Sequence, residues 1–264
     1  MRTVVTTSHQ PDTEPLAMAN RAAKVLGTVL VERKHKPLSQ LRAENGSENV
    51  LVFNREQIIL YTPIGECFFH PSMSIPRIKA LKEGKPDHMV EAMYLKPGDH
   101  ILDCTLGLGA DAIVAAVVVG PLGRVVGVES APELAFIVRH GLMNYQKGSI
   151  ALRQAMNRIE VVHSDCLQYL MSLQDNCFDI VYFDPMFRFP RKRSSSMQPL
   201  RGIVNPEPVS GEMIREALRV ARKRVVMKEN GFSTEFARLG FADIIGGKYS
   251  PVAFGVINKQ EAGA

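Results

Sequence analysis

Asp184, Pro185 and Phe187 stand together in the run CFDIVYFDPMF, residues 177–187, and form the grouping best suited to chemistry on a planar amine. A carboxylate accepts N–H bonds, and an aromatic ring beside it offers a stacking face. Ile180, Val181, Tyr182 and Phe183, which precede them, are β-branched or aromatic, as in a strand covered on both faces. Pro185 cannot donate to a sheet ladder and restricts Asp184 to extended geometry, so the strand must end there with its carboxylate at the rim. In open α/β sheets that rim is where ligands bind. Asp-Pro is also a common strand-ending turn, so the surrounding residues have to decide between the two readings.

A second grouping lies in ILDCTLGLGAD, residues 101–111, which reads as a strand, a glycine turn and a helix start. Gly107 and Gly109 let the backbone approach a ligand closely, and the helix start offers unpaired N–H groups. Read as GxGxxA, with Ala112 last and Glu129 twenty residues beyond Gly109, the run also satisfies the dinucleotide fingerprint. The turn alone does not separate a nicotinamide dinucleotide from S-adenosylmethionine (SAM). Asp103 and Asp111 flank it and would repel a pyrophosphate, whereas Asp103 could receive the methionine ammonium of SAM. Charge complementarity therefore favours SAM. Glu129 ends the next strand, where a carboxylate can accept both ribose hydroxyls, and Asp165 or the Cys166 N–H can meet the adenine edge. Each acid also has an ordinary reading as a solvated or capping carboxylate, Asp165 as the cap of the following helix. Taken together, Asp103, Glu129, Asp165 and Asp184 end four successive strands.

The elements that must position these residues alternate from residue 99 onward, the pattern of βαβ units and a mainly parallel sheet. The patterning predicts strands over 100–105, 124–129, 159–163, in the run 177–187 as far as Asp184, and over 224–228. It predicts helices over 110–119, 132–145, 166–172, 212–222 and 234–239, and a terminal hairpin from 241–245 and 252–257. That makes seven strands, the last antiparallel. Residues 1–70 read as a small α/β appendage with strands over 3–6, 27–32, 50–53, 57–61 and 66–69. Residues 71–98 read as a helical lead-in, and 99–264 as the main domain. His70, Ser72 and Arg77 in FHPSMSIPR could close over the pocket or serve as turn and cap, and the polar run 6–10 reads as a surface loop.

The chain has 264 residues, 45% of them apolar, enough for one ordinary domain and a smaller one. No charged segment followed by an apolar one opens it, and the longest apolar run, residues 112–119, is too short to span a bilayer. A soluble cytoplasmic protein without a membrane partner is expected. Cys67, Cys104, Cys166 and Cys177 form no CxxC pair, which argues against a metal site or a disulfide framework and predicts buried, reduced thiols. The net charge of +5 is unevenly spread: Arg188, Arg191, Lys192, Arg193 and Arg201 lie in a stretch without an acid. Such a stretch is either a solvated loop or a tracker of nucleic-acid phosphates. Arg219, Arg222, Lys223 and Arg224 fall at a helix end, where cations complement the dipole.

DCTLGLGADA at 103–112, VVHSDCL at 161–167 and VYFDPMFRFPRKRSSSMQPLR at 181–201 resemble the class I SAM-dependent methyltransferases. More narrowly they are similar to the RsmJ family, bacterial enzymes that methylate the exocyclic N2 of a guanine in small-subunit ribosomal RNA. The resemblance implies an α/β fold with a Rossmann-like seven-stranded methyltransferase sheet, and SAM as cofactor. Carried over by motif, cofactor contacts fall on Ala110, Asp111, Glu129, Ser130, Asp165, Cys166 and Asp184, beside the turn residues Asp103, Thr105, Gly107 and Gly109. Thr105 stands where most methyltransferases have their first glycine, and Ala110 and Ser130 replace residues that are arginine, or commonly so, in the family.

An exocyclic purine amine would then give its two N–H bonds to the Asp184 carboxylate and the Pro185 carbonyl region. Phe187 would stack on an unpaired base, and the cations after it would follow the phosphates of an RNA, ribosomal by resemblance. Other planar amines remain open as acceptors: a DNA adenine, a transfer RNA base or a small molecule. So do a non-catalytic RNA-binding protein that keeps the fold and a nicotinamide-dependent oxidoreductase.

Overall fold

The computed structural model describes residues 3–185, 207–246 and 250–259, so Phe187 and the cations from Arg188 to Arg201 lie outside the described residues. The chain divides into two compact units. One contains residues 3–70 with Ala131–Gly141, and the other contains residues 71–130 with most of the chain from Leu142 onward.

The first unit carries β1 (Thr3–Thr7), α1 (Thr13–Val25), α2 (Leu38–Asn45), β2 (Asn49–Phe53), β3 (Ile58–Thr62) and β4 (Gly65–Phe68). Its sheet runs β1-β2-β3-β4, parallel in the first pair and antiparallel afterwards. Asn54 closes the β2–β3 turn by accepting the N–H groups of Glu56 and Gln57, each at 2.8 Å. Residues 27–32, expected as a strand, instead make a single bridge from Leu30 to Val5. The β-branched residues there favour extended backbone, but Lys34 and His35 have φ of 42° and 63° and turn the chain before a ladder can lengthen. Thr6 and Thr7, part of the polar run expected as a loop, are buried in β1.

The second unit opens with α3 (Ser74–Lys82) and α4 (His88–Met93). It continues with β5 (His100–Asp103), α5 (Ala110–Val119), β6 (Arg124–Glu129), α6 (Pro132–Asn144), α7 (Ile150–Asn157), β7 (Ile159–His163), α8 (Cys166–Ser172) and β8 (Phe178–Phe183). Then come α9 (Gly211–Val220), β9 (Ala221–Asn230), α10 (Glu235–Leu239), β10 (Asp243–Ile245) and β11 (Val252–Asn258). Part of α6 clusters with the first unit, where Phe136 meets Phe53 edge-on at 5.9 Å. Helix α7 is additional to the sequence expectation. Its signal is a Ser149 cap on the Leu152 N–H and buried Leu152, Ala155 and Met156 at helical spacing.

The seven strands are ordered β10-β11-β9-β8-β5-β6-β7. Strands β5 to β9 pair in parallel, and β11 runs antiparallel to both β9 and β10. Every residue of β8 is buried, as its apolar run requires. The chain builds outward from β5 through β6 to β7, then returns to the other side of β5 to lay down β8. That reversal opens a crevice at the carboxyl ends of β5, β6 and β8. No helix among the described residues is long and apolar enough to cross a membrane. Cys67 and Cys104 are buried as expected, but Cys166 and Cys177 are half-buried, packed against the margin of the core.

Candidate functional site

The turn between β5 and α5 is shaped by glycine and by close packing beneath it. Gly107 and Gly109 have φ of 52° and 77°, in the left-handed region that only glycine enters cheaply, and Gly109 caps α5. Leu106 drops from the turn onto β6, where a Cβ on Gly127 would come within 2.4 Å of its side chain. The bare strand at Gly127 thus lets the turn lie down on the sheet. The Gly107 N–H donates to Glu129 Oε2 at 3.0 Å, which ties the turn to the end of β6. Asp103 Oδ1 accepts the Thr105 N–H at 3.0 Å, and Thr105 Oγ1 accepts the Asp184 N–H at 2.5 Å. Thr105 therefore bridges the ends of β5 and β8. The position where many such turns have glycine here does work that needs a hydroxyl.

Below the turn lies a network of buried charges. Asp111, in the first turn of α5, pairs with Arg77 from α3 and with Lys228 from β9 at 3.1 Å, and accepts a hydrogen bond from the Tyr182 hydroxyl at 2.7 Å. Arg77 also clasps Asp87, the cap of α4, at 2.7 and 3.0 Å. Lys228 reaches onward to Asp184 Oδ2 at 2.7 Å. Burial pushes the Asp103 carboxyl up to about 8, and the neighbouring Asp111 and Asp184 add to this. Asp184 is pushed up to about 6 by burial, with Lys228 holding it down and Asp111 raising it. Asp111 goes the other way: burial would raise it, but Lys228 and Arg77 keep it well below the usual carboxylate range. Asp111 and Asp184 thus share Lys228, and a ligand that brings a further positive charge would favour the ionised form of the neighbouring Asp103.

The structure brings Asp103, Thr105, Gly107, Gly109, Ala110, Asp111, Glu129 and Asp184 to one end of the sheet. Glu129 is buried at the end of β6 and Ser130 follows it, its carbonyl accepting from His163 at 3.2 Å. Ala110 opens α5 with its carbonyl held by the Ser74 hydroxyl at 3.0 Å. Asp165 caps α8 through the Gln168 N–H at 3.0 Å, and Cys166 begins that helix beside the buried Cys104. The Asp111 side chain is taken up by protein partners, so what it offers a ligand is the N–H at the helix start. The sequence does not single out Lys228 or Tyr182 as site residues, and it offers Arg77 only as a cover or turn residue. Lys228 sits in a strand chosen for its apolar residues, and Tyr182 carries no sign of its hydroxyl's partner. For Arg77 the available signal was its place one turn into a helix just ahead of the main domain.

The family described as "Putative SAM-dependent methyltransferase" matches residues 39–238. The chain belongs to this family. As a class I SAM-dependent methyltransferase it has SAM as its cofactor, and the buried Asp103 carboxyl at the turn, which a neighbouring cation would ionise, agrees with a ligand of net positive charge. This methyltransferase is 37% identical over 255 residues to the uncharacterized protein YpiP of Bacillus subtilis, covering 96% of this chain and 98% of that protein. It is 32% identical over 151 residues to a ribosomal RNA small subunit methyltransferase J of Hydrogenovibrio crunogenus, and 34% identical over 151 residues to one of Coxiella burnetii. Those two alignments cover 55% of this chain and only 53% and 56% of the relatives. Among solved structures, a SAM-dependent methyltransferase of Neisseria gonorrhoeae shares the fold, with a TM-score of 0.66, 16% identity and coverage of 98% and 97% of the two chains.

Proposed function

We propose that this enzyme methylates an exocyclic amine of an RNA base, guanine N2 in ribosomal RNA. The observation that carries this reading is Asp184-Pro185 at the end of β8, one hydrogen bond from the glycine turn through Thr105. The ribosomal methyltransferases among the relatives support RNA as the acceptor, as does the cationic stretch between Arg188 and Arg201. An enzyme of this kind would work in the cytoplasm, where ribosomal RNA is modified.

SAM supplies a methyl group on a sulfonium, whose displacement needs alignment more than acid or base strength. Asp103 would receive the methionine ammonium, and Glu129 the ribose hydroxyls. The N–H groups around Ala110 and Asp111 and the start of α8 at Asp165 and Cys166 would line the remainder. Asp184 and the Pro185 carbonyl would accept the two N–H bonds of the amine and turn its lone pair toward the methyl carbon. Phe187 would stack on the base, and Arg188, Arg191, Lys192, Arg193 and Arg201 would follow the phosphates. In this reading 99–264 is the catalytic domain, 71–98 contributes Arg77 to the floor of its site, and 1–70 is an appendage.

The test is mass mapping of ribosomal RNA nucleosides from cells lacking the protein, followed by methyl transfer from labelled SAM to the undermethylated RNA. Loss of one N2-methylguanine, restored by the purified enzyme, is expected. An unchanged nucleoside map, with no label entering the RNA, refutes the acceptor assignment.

A further inference from the structure

Asp184 sits between the acids Asp103 and Asp111, and one cation at contact distance opposes their push toward its protonated form. We propose that Lys228 is a positioning residue for the reaction, holding the Asp184 carboxylate ionised and fixed so that it can accept the N–H of the amine being methylated. The inference rests on Asp184 as that acceptor.

Lys228 follows Met227, the register partner of Phe183, so β9 delivers its side chain level with Asp184, the residue after Phe183. Its ammonium lies 2.7 Å from Asp184 Oδ2 and 3.1 Å from Asp111 Oδ2. The far end of the chain is anchored as well: Asp111 is held by the Tyr182 hydroxyl and by Arg77, and Arg77 by Asp87 at the head of α4. Thr105 fixes the Asp184 backbone from β5. Lys228 and Thr105 therefore hold Asp184 directly, with Asp111, Tyr182 and Arg77 packed behind Lys228, an arrangement that a surface ion pair does not need.

Among the described residues, the ionisable groups acting on Asp184 are Lys228 from β9, Asp111 from α5, Asp103 from β5 and Tyr182 from β8. Arg77 from α3 acts through Asp111. Asp111 and Asp103 both favour a protonated Asp184, and the cation opposing them at contact distance is Lys228. A protonated carboxyl would present an O–H where an acceptor is needed. In the transfer the nitrogen lone pair forms the N–C bond and the C–S electron pair leaves with sulfur. The nitrogen, now cationic, sheds one N–H proton to the Asp184 carboxylate, which passes it to solvent. Both roles require the ionised form.

Replacing Lys228 with glutamine should raise the midpoint of Asp184. A rise of about two pH units takes its ionised fraction at pH 7 from about nine-tenths to about one-tenth, a roughly tenfold loss of kcat. The experiment follows aspartate carboxyl carbons by 13C NMR in wild type, Lys228→Gln and Lys228→Arg, with Asp184 assigned from Asp184→Asn. It also records kcat against pH on RNA at saturating SAM. Expected are an upward move of the Asp184 midpoint in Lys228→Gln, the same move in the acid limb of kcat, recovery of turnover at high pH, and near-wild-type behaviour in Lys228→Arg. An Asp184 midpoint that stays put in folded Lys228→Gln overturns the inference, as does a uniform loss of kcat across pH. The NMR arm needs no acceptor, so a moved midpoint with no RNA methylation by wild type supports the role of Lys228 and sinks only the acceptor reading.

Discussion

SAM affinity should climb with pH through the neutral range, because Asp103 must release a proton when a cation settles beside it. Buried at the end of β5 and pushed up to about 8, this carboxyl is mostly protonated at pH 7 in the free enzyme. A ligand ammonium at hydrogen-bond distance favours the ionised form, so binding and deprotonation are linked. If the bound enzyme holds Asp103 fully ionised, affinity rises about tenfold per pH unit well below 8. Ionisation of Asp103 alone would then add about fiftyfold from pH 6 to pH 8, or about 2.3 kcal/mol. The ligand's own ammonium loses its proton at about 7.7–8.0 for an α-amino group, which cuts the net gain at pH 8 to about twentyfold and ends the rise in a maximum rather than a plateau. Isothermal titration calorimetry in buffers of different ionisation enthalpy reads both the affinity and the proton released. Asp103→Asn keeps the acceptor for the Thr105 N–H but has no proton to lose, so its affinity should be weak and nearly flat over the same range. A wild-type dissociation constant that changes less than about threefold between pH 6 and 8 refutes the linkage, and an unchanged slope in Asp103→Asn assigns the proton elsewhere.

Three further outcomes follow from the site. Glu129→Gln should weaken SAM binding by about tenfold to a hundredfold, the scale of hydrogen bonds to a charged group, with kcat at saturation close to wild type; an unchanged dissociation constant by calorimetry rejects the ribose role. Asp184→Ala should lower kcat on RNA by about a hundredfold or more while SAM affinity changes little, and retained transfer of label removes Asp184 from the reaction. Gly127→Ala places a methyl group against Leu106, which should destabilise the fold by about 1–3 kcal/mol in thermal or urea unfolding. Adding Leu106→Ala should recover part of that loss, and a Gly127→Ala chain as stable as wild type contradicts the close packing of turn on strand.

The strands of the main sheet and the glycine turn were legible because their signals are local. A run such as residues 178–183 can bury all its side chains only between two layers, and Pro185 ends it at a definite residue. The carboxylates at the ends of β5, β6 and β8 could be placed for the same reason, since a strand end in a parallel sheet is a rim. Residues 27–32 show where this fails: β-branched residues favour a strand, but the left-handed Lys34 and His35 allow only one bridge. Asp165 follows its capping reading, for its side chain accepts the Gln168 N–H at the start of α8.

Sequence by itself determined the fold class, the acidic rim and the kind of ligand that rim would attract, because hydrophobic period, proline and glycine act over a few residues. Only the tertiary structure decided the electrostatic state of those acids. Asp103, Asp111 and Asp184 are the same residue type, yet burial leaves the first protonated near neutrality, two cations hold the second ionised, and Lys228 balances the third between them. Arg77, Asp111, Tyr182 and Lys228 come from four separate elements, with Asp184 directly after the strand that carries Tyr182, and charge acts through the distances that packing sets between them.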